Sequence, residues 1–317
     1  MRIAVLGAGA IGGFVAAMLA RKGEDIALVA RGAHLRAIMQ KGLSVRSEAG
    51  EFTVQVPASD DLRTLGVFDV VLIALKAHQL GDALPQLAPA ISSGATIVPM
   101  LNGVPFWYFA DRTVESVDPG GAIRAAIPRE QIVGCVIHAS GNIPQPGTIE
   151  QSGGMQYLLG DPNEAPSARA GAISAVLAAA GMKAPLPASI KYEVWLKLLG
   201  NASLNPVSAL TRLAVGPMLR NPGTREIISR LMNETASIAF ASGISGSFDI
   251  ENRMIFASRL ETVKTSMLQD VEAKRPLELD PIVGAVLEVA RAFHAPAPTL
   301  ETIYELTNAL QQSYLRH

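Results

Sequence analysis

Three glycines close to the amino terminus have the spacing of a motif that binds an anion. Gly7, Gly9 and Gly12 follow the pattern G-x-G-x-x-G, between an apolar run that predicts a strand and the apolar run Phe14–Ala20 that predicts a helix. The first glycine permits a tight turn, the second lets a pyrophosphate approach the backbone, and the third allows close helix–strand packing. The alternative is a purely structural turn. The residues expected to hold a dinucleotide are Gly7, Ala8, Gly9, Ala10, Ile11 and Gly12.

The residue after the second predicted strand distinguishes between the two nicotinamide dinucleotides. A unit that binds NAD places an Asp or Glu there, which accepts a hydrogen bond from the ribose 2′-OH. Here the strand Asp25–Val29 is followed closely by Arg31 and by no acid. A cation suits the 2′-phosphate of NADPH, so Arg31 predicts NADPH; a solvated surface arginine is the alternative.

Two more polar side chains follow apolar runs. Phe68–Leu75 and Thr96–Met100 predict buried parallel strands, and Lys76 and Asn102 come after them. Ligands of open α/β sheets bind beyond the carboxyl ends of the strands. Lys76 is therefore expected to meet the cofactor or an anionic substrate, while the amide of Asn102 can donate and accept hydrogen bonds.

A polar stripe crosses an otherwise apolar helix in the second half of the chain. Lys197, Asn201 and Asn205 recur every four residues and so share one face of the helix predicted from Ile190 to Leu204. A helix this apolar is expected to be buried. Because an unpaired buried ammonium is costly, the stripe is predicted to face a partner or a cleft; a thin solvated edge is the alternative.

Two residues further along are also candidates for a site. Ser266 is predicted to lie inside a long helix, and Glu278 lies in a short connection. Asp280, followed by Pro281, has the pattern of a helix N-cap. A carboxylate held between two helix ends can point inward, although composition alone does not distinguish Glu278 from a surface glutamate.

Composition excludes several classes of protein. The 317 residues are 49% hydrophobic and 17% charged, which is too apolar for a disordered chain. A net charge of −1 gives no electrostatic footprint for nucleic acid or an anionic membrane. The single cysteine, Cys135, fits a reducing cytoplasm. We expect no targeting segment, no membrane span and no metal site, because no His, Cys and acid cluster has ligand spacing.

The pattern of elements predicts an α/β fold with an N-terminal Rossmann-type sheet domain and a C-terminal all-helical domain. The boundary is expected at residue 187, which gives domains 1–187 and 188–317. The runs Ile132–Ala139 and Thr148–Leu159 are predicted to complete the sheet. The aromatic cluster Pro105–Phe109 either lines a pocket or packs a helix start.

In combination, these residues resemble the ketopantoate reductase (2-dehydropantoate 2-reductase) family over essentially the whole chain. The most specific part is the pattern Lys-x-x-x-Asn-x-x-x-Asn-Pro, followed by Ser-Met-Leu-Gln-Asp and a downstream Glu. The matching residues are Gly7–Gly12, Lys76, Leu101–Gly103, Trp195–Leu198, Asn201, Asn205–Pro206, Ser266–Asp270 and Glu278.

The resemblance implies a role for each of these residues. Lys197 would be the proton donor in an NADPH-dependent reduction of a 2-oxo acid, in a cleft between the two domains. Asn102 would contact cofactor and substrate, Ser140 would offer a backbone contact to NADPH, and Glu278 would sit near the nicotinamide end. Substrate would be bound by Asn201, Asn205 and Ser266.

Two departures from the family pattern concern the substrate. Members that reduce ketopantoate commonly carry Asn at the places occupied here by Val215 and Val263, and Ser116–Ala122 has the character of an insertion. The lead hypothesis is reduction of ketopantoate. The alternatives are reduction of another 2-oxo or 3-oxo acid, an opine-type imine reductase, and a non-catalytic NADP(H)-binding module. The sequence leaves a homodimer open.

Overall fold

The computed structural model describes residues 1–47 and 50–315, and the chain divides into two units. The first consists of Met1–Leu101, Trp107–Asp111 and Gly121–Ile190. The second consists of Asn102–Phe106, Arg112–Gly120 and the chain from Lys191 onward. The main division lies between residues 190 and 191, three residues after the expected boundary, and two short segments of the first half belong to the second unit.

The first unit contains all nine strands of the described residues and five helices. The strands are β1 (Ile3–Leu6), β2 (Ile26–Val29), β3 (Leu43–Ser47), β4 (Gly50–Val54), β5 (Ala58–Ser59), β6 (Val70–Ile73), β7 (Thr96–Pro99), β8 (Gly134–Gln145) and β9 (Thr148–Gly160). The helices are α1 (Ala10–Lys22), α2 (Gly32–Lys41), α3 (Leu80–Ser92), α4 (Ala122–Ala126) and α5 (Ala168–Ala179).

A five-stranded parallel sheet in the order β5-β2-β1-β6-β7 forms the centre of this unit. Every residue of β1, β2, β6 and β7 is buried, as continuous apolar runs require when helices cover both faces of a sheet. The register pairs Ile3 with Ile26 on one side and with Val70 on the other. The carboxyl ends of β1, β2 and β6 therefore lie at one edge, next to the glycine turn.

The prediction that residues 132–139 and 148–159 complete this sheet is wrong except at its start, where Ile132 makes a single parallel bridge with Ile97 of β7 and the N–H of Val133 donates to the carbonyl of Ile97 at 2.9 Å. β8 and β9 pair antiparallel with each other, and β9 also pairs parallel with β3, which gives a separate sheet in the order β4-β3-β9-β8. A tight turn at Pro146–Gly147 joins the two long strands. Because such a turn forces antiparallel pairing, and β3 takes the other edge of β9, β9 has no free edge for the parallel sheet.

The second unit is helical in its described part, as predicted. Its helices are α6 (Ile190–Thr211), α7 (Val215–Arg220), α8 (Pro222–Ala241), α9 (Ile250–Ser258), α10 (Ser266–Glu272), α11 (Ala285–Ala292) and α12 (Pro298–Leu315), with a π-helical turn at Asp280–Gly284. Asn221 caps α8 by accepting from the backbone N–H groups of Gly223 and Thr224, as its position before a proline predicts.

The aromatic cluster belongs to the core. Phe106, Trp107, Tyr108 and Phe109 are all buried, and the rings of Tyr108 and Phe109 meet edge to face with centroids 4.7 Å apart. Of the two interpretations that the sequence left open, this favours packing over a pocket lining.

Candidate functional site

The turn after β1 can be formed only by glycine at its first position. Gly7 has φ +112°, and an ideal Cβ there would lie 2.6 Å from the carbonyl oxygen of Ala74. Its N–H donates to the carbonyl of Val29 at 3.2 Å, which holds the turn beside the end of β2. Gly7 thus allows the chain to leave the sheet edge sharply and enter α1.

The other two glycines of the motif differ in what surrounds them. A Cβ on Gly12 would lie 2.0 Å from the carbonyl oxygen of Gly7 and 2.7 Å from the Cβ of Ala74, so close packing of α1 on the sheet requires glycine. Around Gly9 the nearest protein atom would be 4.0 Å away. No protein contact therefore explains Gly9.

The space at Gly9 and the start of α1 fit a bound pyrophosphate. α1 begins directly after Gly9 and has no acidic residue in its first turn, so no carboxylate offsets the positive end of the helix dipole. Backbone N–H groups at such a start bind anions, and a missing Cβ lets a phosphate approach them. The residues present thus fit the phosphates of a dinucleotide.

Gly9→Ala is expected to weaken binding of the dinucleotide without destabilising the unliganded protein. Gly9 has φ −62° and ψ 179°, which alanine adopts readily, and the new methyl group meets no protein atom. Against a phosphate it causes a steric overlap, and we expect the dissociation constant to rise about tenfold or more. Cofactor titration by fluorescence, together with the melting temperature of the unliganded protein, measures both. A lowered melting temperature, or unchanged affinity, would contradict the assignment.

The structure places three other predicted cofactor residues near strand ends or the start of α1. Arg31 is exposed at the start of α2, directly beyond β2, and Lys76 is partly buried beyond β6. Ser140 is an exposed residue of β8, at an irregularity in its pairing with β9. A Cβ on the adjacent Gly141 would lie 3.5 Å from the Cβ of Ala10, so this part of β8 lies beside the first residue of α1.

His34 links the start of α2 to the turn of the β8–β9 hairpin, a contact that the sequence did not indicate. Its Nδ1 accepts a hydrogen bond from the N–H of Gly147 at 2.9 Å. Burial lowers the pKa of His34, which favours the neutral ring that this acceptor role requires. The imidazole therefore joins α2, whose N-cap is Arg31, to the second sheet.

In the second unit, one asparagine joins the predicted lysine to the predicted glutamate. The Nζ of Lys197 donates to the Oδ1 of Asn102 at 2.8 Å, and the Nδ2 of Asn102 donates to the Oε2 of Glu278 at 3.1 Å. Lys197 is partly buried, and Glu278 is 8% exposed. The amide uses its acceptor on the ammonium and its donor on the carboxylate, so both ends of Asn102 are fixed.

Asn102 is held by the glycine that follows it. A Cβ on Gly103 would lie 2.0 Å from the carbonyl oxygen of Pro281, and the N–H of Val104 donates to the same oxygen at 2.9 Å. This close backbone approach brings the segment after β7 against the loop that carries Glu278. In the sequence, the Asn-Gly pair after a predicted strand indicates a turn at this place. It does not predict that the turn contacts Pro281.

The remaining substrate candidates extend from this cluster along α6. Asn201 and Asn205 follow Lys197 by one and two helical turns, and Asn205 is 6% exposed. α6 continues through Pro206 to Thr211, beyond the predicted end at Leu204, and residues 205–209 are all buried. Buried polar side chains are almost always hydrogen-bonded. We therefore expect the amide of Asn205 to bond either to another group of the protein or to a bound ligand.

Two of the local predictions in this region are wrong. Ser266 does not lie inside a long helix: it is the exposed first residue of the seven-residue α10, because Thr265 caps that helix by accepting from the N–H of Leu268. Asp280 is not an N-cap. Its Oδ1 accepts from the hydroxyl of Tyr304 at 2.6 Å, and this tertiary bond replaces the local one.

The described residues form neither a metal site nor a membrane-spanning helix. Across 1–47 and 50–315, no group of three or more His, Cys, Asp or Glu side chains lies close enough together to hold a metal ion. In the same ranges, no helix is both long and apolar enough to cross a membrane.

Family models match both halves of the chain. Residues 3–164 match the model described as ketopantoate reductase PanE/ApbA, and residues 189–311 match the model of its C-terminal part. The 2-dehydropantoate 2-reductase of Mesorhizobium japonicum is 38% identical over 318 residues, which is 98% of each chain.

Solved structures agree over the full length. A candidate ketopantoate reductase of Ralstonia solanacearum MolK2 superposes with a TM-score of 0.92 at 35% identity, covering 99% of this chain and 98% of that one. The 2-dehydropantoate 2-reductase of Geobacter metallireducens GS-15 superposes with a TM-score of 0.89 at 26% identity, covering 98% and 99%.

Proposed function

Because the chain belongs to the ketopantoate reductase family, we propose that it reduces a 2-oxo acid to the 2-hydroxy acid with NADPH, and that 2-dehydropantoate (ketopantoate) is its substrate. The observation that carries the proposal is the hydrogen-bonded series from Lys197 through Asn102 to Glu278. It presents an ammonium held by a neutral amide, in the part of the chain where the family pattern is most specific.

The cofactor would be held by residues of the first unit. The glycine turn would bind its pyrophosphate, Arg31 its 2′-phosphate, and Lys76 and Ser140 would add polar contacts from the strand ends. When bound, the reduced nicotinamide would supply the hydride that reduces the carbonyl carbon.

Lys197 would carry the proton chemistry. As hydride reaches the carbon, negative charge develops on the carbonyl oxygen, and a positioned ammonium stabilises that charge and donates a proton to it. Asn102 holds the Nζ of Lys197 by accepting one of its hydrogens, which fixes the position of the ammonium from which a proton would be donated. Glu278 fixes the amide in the orientation that makes its oxygen, and not its nitrogen, face the ammonium.

The neutral polar groups of the second unit suit substrate orientation. Asn201 and Asn205 lie on the stripe that begins at Lys197, and Ser266 is an exposed hydroxyl at the start of α10. Amides and hydroxyls fix a substrate by hydrogen bonds without changing the net charge of the site.

Substrate profiling with the purified protein tests the proposal. The consumption of NADPH is followed by its absorbance, with ketopantoate and a panel of 2-oxo acids of increasing apolar bulk at equal concentrations. The proposal expects ketopantoate to have the highest kcat/KM. No turnover of any 2-oxo acid would overturn it.

A second candidate is the reduction of a different 2-oxo acid, and the two valines favour it. Val215 is 4% exposed, and its N–H donates to the carbonyl of Val263 at 3.0 Å, so both replacements for the family's asparagines lie in one small region. Two apolar side chains there would suit a more apolar substrate. A kcat/KM for a bulkier 2-oxo acid above that for ketopantoate would select this candidate.

Arg31→Ala tests the choice of cofactor. If Arg31 pairs with the 2′-phosphate, the KM for NADPH should rise by about 10- to 100-fold, the effect of losing a hydrogen bond to a charged group. The KM for NADH, which lacks that phosphate, should hardly change. Arg36→Ala, which removes another exposed charge from α2, is the matched control. Equal effects of Arg31→Ala on both cofactors would refute the phosphate contact.

A further inference from the structure

The loop that carries Glu278 continues into a π-helical turn whose hydrogen bonds differ from those of an α-helix. In an α-helix, the N–H of Ala285 would donate to the carbonyl of Pro281, four residues earlier. Here it donates to the carbonyl of Asp280, five residues earlier. The carbonyl of Pro281 therefore loses the partner that a regular helix would give it. Single π-helical turns within α-helices occur frequently at functional sites.

The released carbonyl accepts a hydrogen bond from the segment that contains Asn102. The N–H of Val104 donates to the oxygen of Pro281 at 2.9 Å, and an ideal Cβ on Gly103 would lie 2.0 Å from the same oxygen. Val104 is 1% exposed, and a buried N–H without an acceptor costs free energy. The π-helical turn thus supplies the acceptor that fixes the backbone next to Asn102.

The side chain of Asn102 is held by the same stretch of chain. Its Nδ2 donates at 3.1 Å to the Oε2 of Glu278, two residues before the turn, while its Oδ1 accepts from the Nζ of Lys197 at 2.8 Å. The backbone bond and the side-chain bond together set the position of the amide oxygen. A shift of the turn would therefore move the group that holds the ammonium of Lys197.

Tyr304 of α12 holds the turn on its exposed side. Its hydroxyl donates to the Oδ1 of Asp280 at 2.6 Å, the length expected when a hydroxyl donates to a carboxylate. Gly284, the last residue of the turn, leaves room for the ring, since an ideal Cβ there would lie 3.3 Å from the Cε2 of Tyr304. Asp280 is exposed and Tyr304 is partly buried, so water competes for this bond and its net contribution is modest.

The hydroxyl of Tyr304 stays protonated at neutral pH and so remains a donor. Burial raises the pKa of Tyr304 to about 12; the hydrogen bond to Asp280 and the negative charges of Asp280 and Glu305 also raise it, and Arg291 lowers it. The proton therefore remains on the phenol, and the carboxylate of Asp280 remains its acceptor.

We propose that Tyr304 and Asp280 are positioning residues for the proton donor Lys197. Their hydrogen bond holds the π-helical turn, and the turn places Asn102 where it orients the ammonium. The inference rests on the proposed function, because it explains how the acid of that reaction is held. It assigns neither Tyr304 nor Asp280 a contact with substrate or cofactor.

Hydrogen exchange at Val104 tests the positioning without depending on turnover. Tyr304→Phe removes the hydroxyl and leaves the ring, and the Val104 amide measured by NMR should then exchange about fivefold faster, the effect of losing one net hydrogen bond. Tyr314→Phe is the matched control, because it removes a hydroxyl of the same helix that donates to the carbonyl of Arg275 at 3.1 Å. The control should exchange as the wild type does.

The kinetic effect should act through Lys197. For the 2-oxo acid that the wild type reduces best, Tyr304→Phe should lower kcat about fivefold and change the dissociation constant for NADPH by less than about twofold. Asp280→Ala should have the same effect, and Asp280→Asn, whose amide oxygen still accepts from the hydroxyl, should recover most of kcat. In a Lys197→Ala background, where the ammonium is absent, Tyr304→Phe should not lower kcat further.

A merely structural role would lower the melting temperature of the unliganded protein and would reduce kcat by the same factor with and without Lys197. That result, or a Tyr304→Phe variant with the exchange rate or the kcat of the wild type, would make the inference wrong while the proposed function stands. A wild type that reduces no 2-oxo acid overturns both. Should Tyr304→Phe fail to fold, Asp280→Ala and Asp280→Asn give the same comparison.

Discussion

Lys197→Ala is expected to lower kcat by about 10²- to 10⁴-fold, the contribution of a positioned general acid. The variant loses the Nζ that donates to Asn102 at 2.8 Å, and with it the only group of this hydrogen-bonded series that carries a proton suited to a developing alkoxide. Stopped-flow or steady-state measurement of NADPH consumption gives the rate. The dissociation constant for NADPH should stay close to that of the wild type, because the residues proposed to hold the phosphates lie in the first unit.

Lys191→Ala is the matched control, since it removes a partly buried lysine from the same helix. It should leave kcat unchanged. If Lys197→Ala turned over as fast as the wild type, the lysine would not be the acid. If instead cofactor binding were lost and the rate per bound cofactor were unchanged, a cofactor-binding module without catalytic function would explain the data better.

Gly12→Ala is expected to lower the free energy of unfolding by about 3 kcal/mol, at the upper end of the cost of overpacking a core. The new methyl group would lie 2.0 Å from the carbonyl oxygen of Gly7 and 2.7 Å from the Cβ of Ala74. A backbone carbonyl cannot rotate away as a flexible side chain can, so α1 must move off the sheet. That movement also displaces the N–H groups at the start of α1, and binding of NADPH should be lost together with stability.

Gly171→Ala provides the comparison for this variant. Gly171 lies inside α5, and a Cβ there meets no atom within 4 Å. Alanine is the better helix former by roughly 0.5–1 kcal/mol, so this substitution should leave the protein equally or more stable. Urea unfolding of both variants measures the difference. A Gly12→Ala protein as stable as Gly171→Ala would show that the close contact between α1 and the sheet does not matter.

Predictions from sequence were most accurate where the determining interactions are local. The glycine spacing requires a tight turn and a helix within a few residues, and the structure has both at Gly7 and Gly12. The apolar runs around residues 70 and 96 form buried parallel strands for the same reason. Asn221 caps its helix because the cap needs only the next three residues. Local predictions were wrong where a distant partner competed, as when Tyr304 took the side chain of Asp280.

The sequence by itself thus determined the glycine turn, the two-part organisation and the polar stripe on α6, since each depends on a pattern within a local stretch of the chain. Only the tertiary structure decided which residues meet. Asn102 bonds to Lys197 and Glu278, which lie 95 and 176 residues away, and Arg253 packs on Gly200. It also decided that β8 and β9 form a sheet of their own with β3. The physical reason is that side-chain periodicity reports which face of an element is buried, whereas the partner on that face is selected by chain folding over long separations.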